Sequence, residues 1–366
     1  MSTPSIPTLL MTPGPSRVPE RVREAGARPM IHHRSPEFSL LLTPMLAGVR
    51  ECFGTSGDVL PVHTSGRGGM EASVANLFAP GDGIVACCNG KFGEMWADIA
   101  EAYGLAVHRV SRWGSDIDAG EVRAVLNSNP GIRAVTACQC DTSTGVLNDV
   151  AALADVAHEA DALLLVDAIS SVGGVDFRFD EWDVDIAVSA SQKCLMSSAG
   201  LAFVAVGKRA WKATERSRLP RFYWDFDAIR KTLSKAQPQT PGSTPVHLVM
   251  QVSEAVAMIR EEGLSNVFAR HLEMSRRATE GVQRLGLELL YPCLAQRSPT
   301  LTGVLAPKGL SAAELRKGMK ERGILVAGGL GPLTETVFRI GHLGDIRPAD
   351  VDHTLGALEE VLRHSR

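Results

Sequence analysis

Between about Asp58 and Gly207 the chain alternates short, uniformly apolar runs with amphipathic stretches. The runs predict strands at Val59–His63, Ile84–Cys87, Ala106–Val110, Val135–Cys138, Leu163–Val166, Ile186–Val188 and Leu201–Val206. The stretches between them predict helices at Gly69–Phe78, Phe92–Tyr103, Ala119–Leu126 and Val150–Glu159. Strands separated by helices of roughly 10–15 residues need crossover connections, and crossovers make parallel sheets. The apolar runs lack a period-2 alternation, so both faces of each strand are expected to be covered. This alternation confines the segment to an α/β fold with a mainly parallel sheet.

The rest of the chain reads differently. Lys235–Pro245 holds three prolines and a glycine and is expected to be a linker. Beyond it a long helical pattern runs from Val246 to Leu285, followed by strands at Leu301–Leu305, Ile324–Val326 and Val337–Ile340 and helices at Ala312–Arg322 and Pro348–Leu362. That is an α+β pattern. At about 150 residues per domain, 366 residues predict two to three units. The expected division is a loop-like N-terminal segment (1–20) lying over the large domain, a large domain (21–245) and a smaller C-terminal domain (246–366).

Composition excludes several classes. Hydrophobic residues at 45% and charged residues at 22% fit a globular chain, not a disordered or fibrous one. A net charge of −3 gives no electrostatic reason to expect nucleic acid or a membrane surface as partner. No apolar run is long enough to span a bilayer, and the proline-bearing start, Met1–Ser16, does not have the layout of a secretory signal. The seven cysteines have neither zinc-site nor disulfide-framework spacing. A reducing, cytoplasmic location is the expectation.

Four features carry chemistry. Leu163-Leu164-Leu165-Val166 runs straight into Asp167, and Ser191-Gln192-Lys193 follows the apolar run that starts at Ile186. Acids and amines at the carboxyl ends of parallel strands sit where such folds bind ligands. A lysine that forms a Schiff base with pyridoxal phosphate, paired with an aspartate that keeps the pyridine nitrogen protonated, makes an electron sink. Each residue alone reads as well as a surface lysine or a strand-end cap; the pair, in this order, favours the cofactor. Thr64-Ser65-Gly66-Arg67-Gly68-Gly69 stands between a strand and a helix, and its small residues would let backbone amides approach a phosphate. It is neither a P-loop nor the dinucleotide fingerprint, since Glu71 stands where the third glycine belongs. Asp141-Thr142-Ser143-Thr144-Gly145 is either a polar loop or a source of hydroxyls for a ring substituent. Arg339, inside the apolar run Phe338–Ile340, is either half of an internal salt bridge or a bidentate carboxylate binder.

Taken together these segments resemble the class V, fold-type I pyridoxal-phosphate aminotransferases, specifically the alanine/serine–glyoxylate group. The resemblance rests on Thr12-Pro13-Gly14-Pro15, Ser65-Gly66 through Met70-Glu71-Ala72, Asn89-Gly90-Lys91-Phe92-Gly93, and Thr142-Ser143-Thr144-Gly145-Val146. It continues through Val166-Asp167-Ala168, Ser191-Gln192-Lys193, Thr244-Pro245, Gly328-Gly329-Leu330-Gly331 and Arg339-Ile340-Gly341, covering nearly the whole chain. The resemblance implies that Lys193 forms the Schiff base and shuttles the proton, and that Asp167 pairs with the pyridine nitrogen. It implies that Phe92 and Ile169 cover the two faces of the cofactor ring, and that Thr142 bonds its 3-oxygen region. Ser65, Gly66, Arg67 and Gln192 would hold the phosphate, helped by Thr240 and Ser243 from the second subunit of a homodimer with shared sites. Arg339 would bind the substrate α-carboxylate.

The sequence also departs from the family pattern. Thr240 stands where several relatives have Tyr, and Arg67 where many have a small residue, Thr or His; the arginine could replace the lost contact or reach an acidic substrate group. His32 falls near the active-site entrance, where Gly is common, as a pocket residue or one of a surface pair. Cys140-Asp141 replaces the commoner Gly/Ser-Glu, a change without an account at this level. The implied reaction is ping-pong transfer of an amino group from a small amino acid, alanine or serine, to glyoxylate or pyruvate. Ureidoglycine–glyoxylate or 2-aminoethylphosphonate–pyruvate transamination are the rivals on the same scaffold. A lyase or desulfurase is disfavoured because the surroundings of Cys293 do not match a desulfurase loop.

Overall fold

The computed structural model describes residues 9–292 and 297–364; Cys293 lies outside them. Strand β1 (Leu9–Met11) and helices α1 (Glu20–Gly26) and α2 (Pro36–Phe53) precede the alternating region. That region runs β2 (Asp58–Val62), α3 (Gly66–Leu77), β3 (Gly83–Cys88), α4 (Lys91–Ala102), β4 (Ala106–Ser111), α5 (Ala119–Ser128), β5 (Ile132–Cys138), the hairpin β6 (Cys140–Asp141) and β7 (Val146–Leu147), α6 (Val150–Glu159), β8 (Leu163–Asp167), β9 (Ile186–Ala190) and β10 (Ala202–Val206). After α7 (Lys208–Thr214) and α8 (Phe226–Leu233) come α9 (Val246–Glu262), α10 (Leu264–Arg284), β11 (Leu301–Leu305), α11 (Ala312–Glu321), β12 (Ile324–Gly328), β13 (Val337–Gly341) and α12 (Pro348–His364).

The large sheet has the order β2-β10-β9-β8-β5-β3-β4. Only β10 runs against its neighbours. The uniform apolar runs are buried on both faces, as their lack of alternation requires: every residue of β8, β9 and β10 is buried. Each buried Leu or Val there contributes about 1.5–3 kcal/mol. One apolar core lies between the sheet and α1, α2, α5, α6 and α9; a second lies on the other face under α3, α4, α7 and α8. This is the expected doubly covered, mainly parallel α/β sheet.

A second sheet, β1-β12-β13-β11, has its own core with α10, α11 and α12. Here one expectation fails. The N-terminal segment is not all loop over the large domain: Leu9–Met11 pairs in parallel with Ile324–Val326 as an edge strand of the small sheet. Three residues among prolines give no periodicity to read, and burial of Leu9 and Met11 against the small core decides the pairing. The helical pattern from Val246 splits at Gly263, where φ is +83°. Helix α9 packs on α1 and α2 in the large core, so the change of core falls within α10, between Val267 and Met274.

Candidate active site

The chemistry-bearing residues converge on the carboxyl edge of the large sheet. Asp167 ends β8, and Gln192 and Lys193 follow its parallel neighbour β9. Ser65 is the N-cap of α3, just beyond β2, and Thr142 lies in the β6–β7 turn beyond β5. A cavity of about 210 Å³ opens there, lined by Ser65, Gly66, Arg67, Phe92, Thr142, Asp167, Ile169, Gln192 and Lys193. Met70, Met95 and Ser170 complete its wall; methionines at helical spacing carry no signal that separates them from core. Larger cavities of about 290 and 360 Å³ lie elsewhere and gather none of these residues.

Asp167 is buried. Its Oδ1 accepts the Ile169 amide at 2.8 Å and its Oδ2 the Cys138 thiol at 3.7 Å. Burial pushes the carboxyl up to about 7, and the charge of Asp141 adds to the push, while the Ile169 amide and Lys193 oppose it. A carboxylate so desolvated gains most from a cationic N–H donor placed against it. Lys193 donates from Nζ to the Pro13 carbonyl at 2.6 Å. Burial pulls its ammonium down to about 8, against the attraction of Asp167. A lysine desolvated this way is readily deprotonated to the nucleophilic amine.

The N-terminal segment reaches this lysine directly. Ser16 donates its hydroxyl to the Lys193 carbonyl at 2.7 Å and its amide to the Gln192 carbonyl at 2.9 Å. Gly14 has φ +132°, and a Cβ there would lie 2.4 Å from Nζ of Lys193, so only glycine lets the chain pass. The sequence reading assigned Pro13 and Gly14 no role at the site; the Thr-Pro-Gly-Pro segment was the available signal.

At α3 the helix start is open. Ser65 makes no side-chain cap, and the amides of Gly66, Arg67 and Gly68 find no acceptor among the described residues. The exposed Arg67 side chain has no hydrogen bond or ion pair among them either. Oε1 of Gln192 is buried without a partner. An open helix start with an added cation is an anion site. Phe92 and Ile169 present apolar surface to the same cavity, and the Thr142 hydroxyl pairs with that of Ser170 at 2.5 Å.

Arg339 stands behind this wall, not in it. Buried in β13, it donates Nη1 to the Thr142 carbonyl at 2.6 Å and Nε to the Gly328 carbonyl at 2.8 Å. It has no ion pair among the described residues. Burial pulls its guanidinium down to about 10, and the charge of Asp141 opposes that. His32, Thr240 and Ser243 do not line the cavity of their own chain. His32 is exposed beside His33, with ring centroids 4.9 Å apart. Thr240 is buried and its hydroxyl pairs with that of Thr244; Ser243 is exposed. The two loops nonetheless share one patch, since Arg34 donates to Gln239 at 3.4 Å and to the Pro241 carbonyl at 3.2 Å.

Residues 16–340 match the family described as aminotransferase class-V. This chain belongs to that family. It is 37% identical to the L-aspartate–glyoxylate aminotransferase of Paracoccus denitrificans, over 96% of this chain and 90% of the relative. It is 40% identical to a Synechococcus protein named soluble hydrogenase, small subunit, over 97% and 92% of the two chains. The alanine–glyoxylate aminotransferase structure from Nostoc sp. superposes with a TM-score of 0.93 at 31% identity, covering 99% of this chain and 97% of that one. Relatives this similar carry different names, so similarity fixes the family and the fold, and the aminotransferase's substrate has to be argued from the site. No helix among the described residues is long and apolar enough to cross a membrane. Nor do those residues contain a group of three or more His, Cys, Asp or Glu side chains placed to hold a metal ion.

Proposed function

We propose that the chain moves an amino group from a small amino acid, of the alanine or serine type, to glyoxylate or pyruvate, in a ping-pong cycle that uses pyridoxal 5'-phosphate. The observation that carries this reading is one cavity in which a desolvated lysine and a buried aspartate meet an open helix N-terminus. The residues fit the cofactor in three places. The free amides at Gly66–Gly68, with Ser65, Arg67 and the Nε2 donor of Gln192, suit its phosphate. Phe92 and Ile169 suit its ring. The Asp167 carboxylate suits its protonated pyridine nitrogen.

Bound there, the cofactor supplies a sink for the electrons released when the substrate α-carbon loses its proton. Asp167 would hold the ring nitrogen in its protonated form, which is what makes the sink effective. With the cofactor bound, Lys193 as the neutral amine would be the base placed to take the proton from the substrate α-carbon and to hold it for return across the imine nitrogen. Arg339, which sits behind the Thr142 carbonyl, would take the α-carboxylate as the family pattern implies, and its bond to that carbonyl would tie this contact to the ring site. A second subunit would complete the phosphate end with the loop that carries the exposed Ser243 and the buried Thr240; the exposed apolar side chains of Met30, Leu40, Phe222 and Tyr223 supply surface for such a contact. The six described cysteines are free and buried, which suits a reducing, cytoplasmic compartment.

One observation favours a second reading of the donor. Arg67 is a cavity cation without an anion partner among the described residues, and such a residue selects an acidic side chain such as that of aspartate. Absorbance spectra of the holoprotein with alanine, serine, aspartate, ureidoglycine or aminoethylphosphonate, each without an acceptor, decide between them. The donor that bleaches the visible band, with recovery on adding glyoxylate or pyruvate, is the substrate. A band that none of them bleaches would contradict the transamination proposed.

A further inference from the structure

The start of α4 has no cap of its own: its N-cap position is Gly90, which has no side chain. The amides left over at that end are instead taken by the loop carrying Thr142. Oδ2 of Asp141 accepts the Phe92 amide at 3.0 Å and the Gly93 amide at 3.2 Å. Oδ1 accepts the Ser143 amide at 2.8 Å and its hydroxyl at 2.5 Å. The Ser143 oxygen in turn accepts the Lys91 amide at 2.8 Å. Asp141 is fully buried, and a Cβ at position 90 would lie 2.2 Å from its Oδ1. Gly90 therefore makes the room that the carboxylate fills.

Four donors on one buried carboxylate join two pieces of the site that come from distant sequence. One piece is Phe92, the expected ring platform. The other is Thr142, whose carbonyl receives Arg339. We propose that Asp141 is a positioning residue: it docks the Phe92 end of α4 onto the Thr142 loop, so that the ring platform and the carboxylate-binding arginine are set as one unit. The charge also acts at a distance, supporting the charged forms of Arg339 and Lys193. The inference rests on the cofactor reading above for what the platform carries.

The test compares wild type, Asp141→Asn and Asp141→Glu. Asparagine keeps the size but turns one acceptor into a donor that faces N–H groups; glutamate keeps the charge and both acceptors. Loss of charge-assisted hydrogen bonds should raise the cofactor dissociation constant of Asp141→Asn by roughly tenfold or more. It should also weaken the visible circular dichroism of the bound cofactor, which reports ring orientation, and Asp141→Glu should recover both. Dichroism and affinity unchanged in Asp141→Asn, or lost without recovery in Asp141→Glu, would overturn the proposal. If the wild type takes up no cofactor, the functional reading fails, and hydrogen exchange still decides this one. The Phe92 and Gly93 amides should then exchange faster in Asp141→Asn by roughly tenfold or more; an unchanged rate would refute the docking.

Discussion

Helices α3 and α4 both begin at the carboxyl edge of the large sheet, each after a strand and a short turn, yet their first turns have opposite fates. The amides at Gly66, Arg67 and Gly68 find no acceptor among the described residues. Those at Lys91, Phe92 and Gly93 are all taken, by Ser143 and Asp141. Either helix start could attract an anion through its partial positive charge. At α4 the chain supplies that anion itself and spends the end on positioning; at α3 it supplies none and leaves the end for a ligand. The proposed phosphate site is thus defined as much by the closure of one helix start as by the openness of the other.

The largest effect expected separates the open end from the lysine it serves. Lys193→Ala should lower turnover by roughly 10³-fold or more and abolish the visible band. It should leave noncovalent cofactor binding detectable by equilibrium dialysis, because the α3 amides are untouched; retained turnover would refute the role of Lys193. Next, Ser65→Asp should close α3 as Asp141 closes α4. A carboxylate at the N-cap is a good cap, so the apo protein should melt at the same or a higher temperature. Its charge opposes a phosphate, so cofactor affinity should fall by roughly tenfold or more. Unchanged affinity would show that the phosphate does not sit at this end. An effect of similar size, on the substrate and not on the cofactor, is expected away from both ends. Arg339→Ala should raise KM for every α-carboxylate substrate and lower kcat/KM by about thirtyfold, the equivalent of about 2 kcal/mol, with cofactor affinity nearly unchanged. Steady-state kinetics with two donors checks this, and unchanged kinetics would remove Arg339 from that role.

The smallest effect is a control that touches neither helix start. Buried His271 accepts the Gly344 amide at 3.0 Å, and burial pulls its imidazole down to about 4; buried His342 falls to about 3 for the same reason. Both lie below the unfolded value near 6.5, so the unfolded chain binds protons first as pH falls. Their contribution to stability is therefore complete above about pH 6.5 and is lost progressively from there towards pH 4. Melting temperatures measured across that range should decline, less steeply in His271→Gln. An identical slope in that variant would refute the assignment.

Much of this was legible in the sequence, for reasons that differ by region. The strands of the large sheet are read from uninterrupted apolar runs because burial on both faces leaves no polar residue to blur them. The predicted helix Val150–Glu159 matches α6 at both ends because Asp149 caps it, accepting the Ala152 amide at 3.0 Å. Asp167 and Lys193 are legible because strand ends fix where they point. Asp141 was not: its partners Phe92 and Gly93 lie 49 and 48 residues away, and a carboxylate in a polar loop looks the same whether it meets water or three backbone amides. The strand Leu9–Met11 was missed because its pairing depends on Ile324–Val326. The loops bearing His32 and Thr240 are joined through Arg34.

The central claim is that Lys193 is the attachment point in a cofactor site built on the open end of α3. Borohydride reduction of the holoprotein, followed by peptide mapping, tests it most directly. The account predicts a single stable adduct on the peptide containing Lys193, and loss of that adduct in Ser65→Asp at limiting cofactor. An adduct on another lysine, or none from a yellow protein, would contradict it.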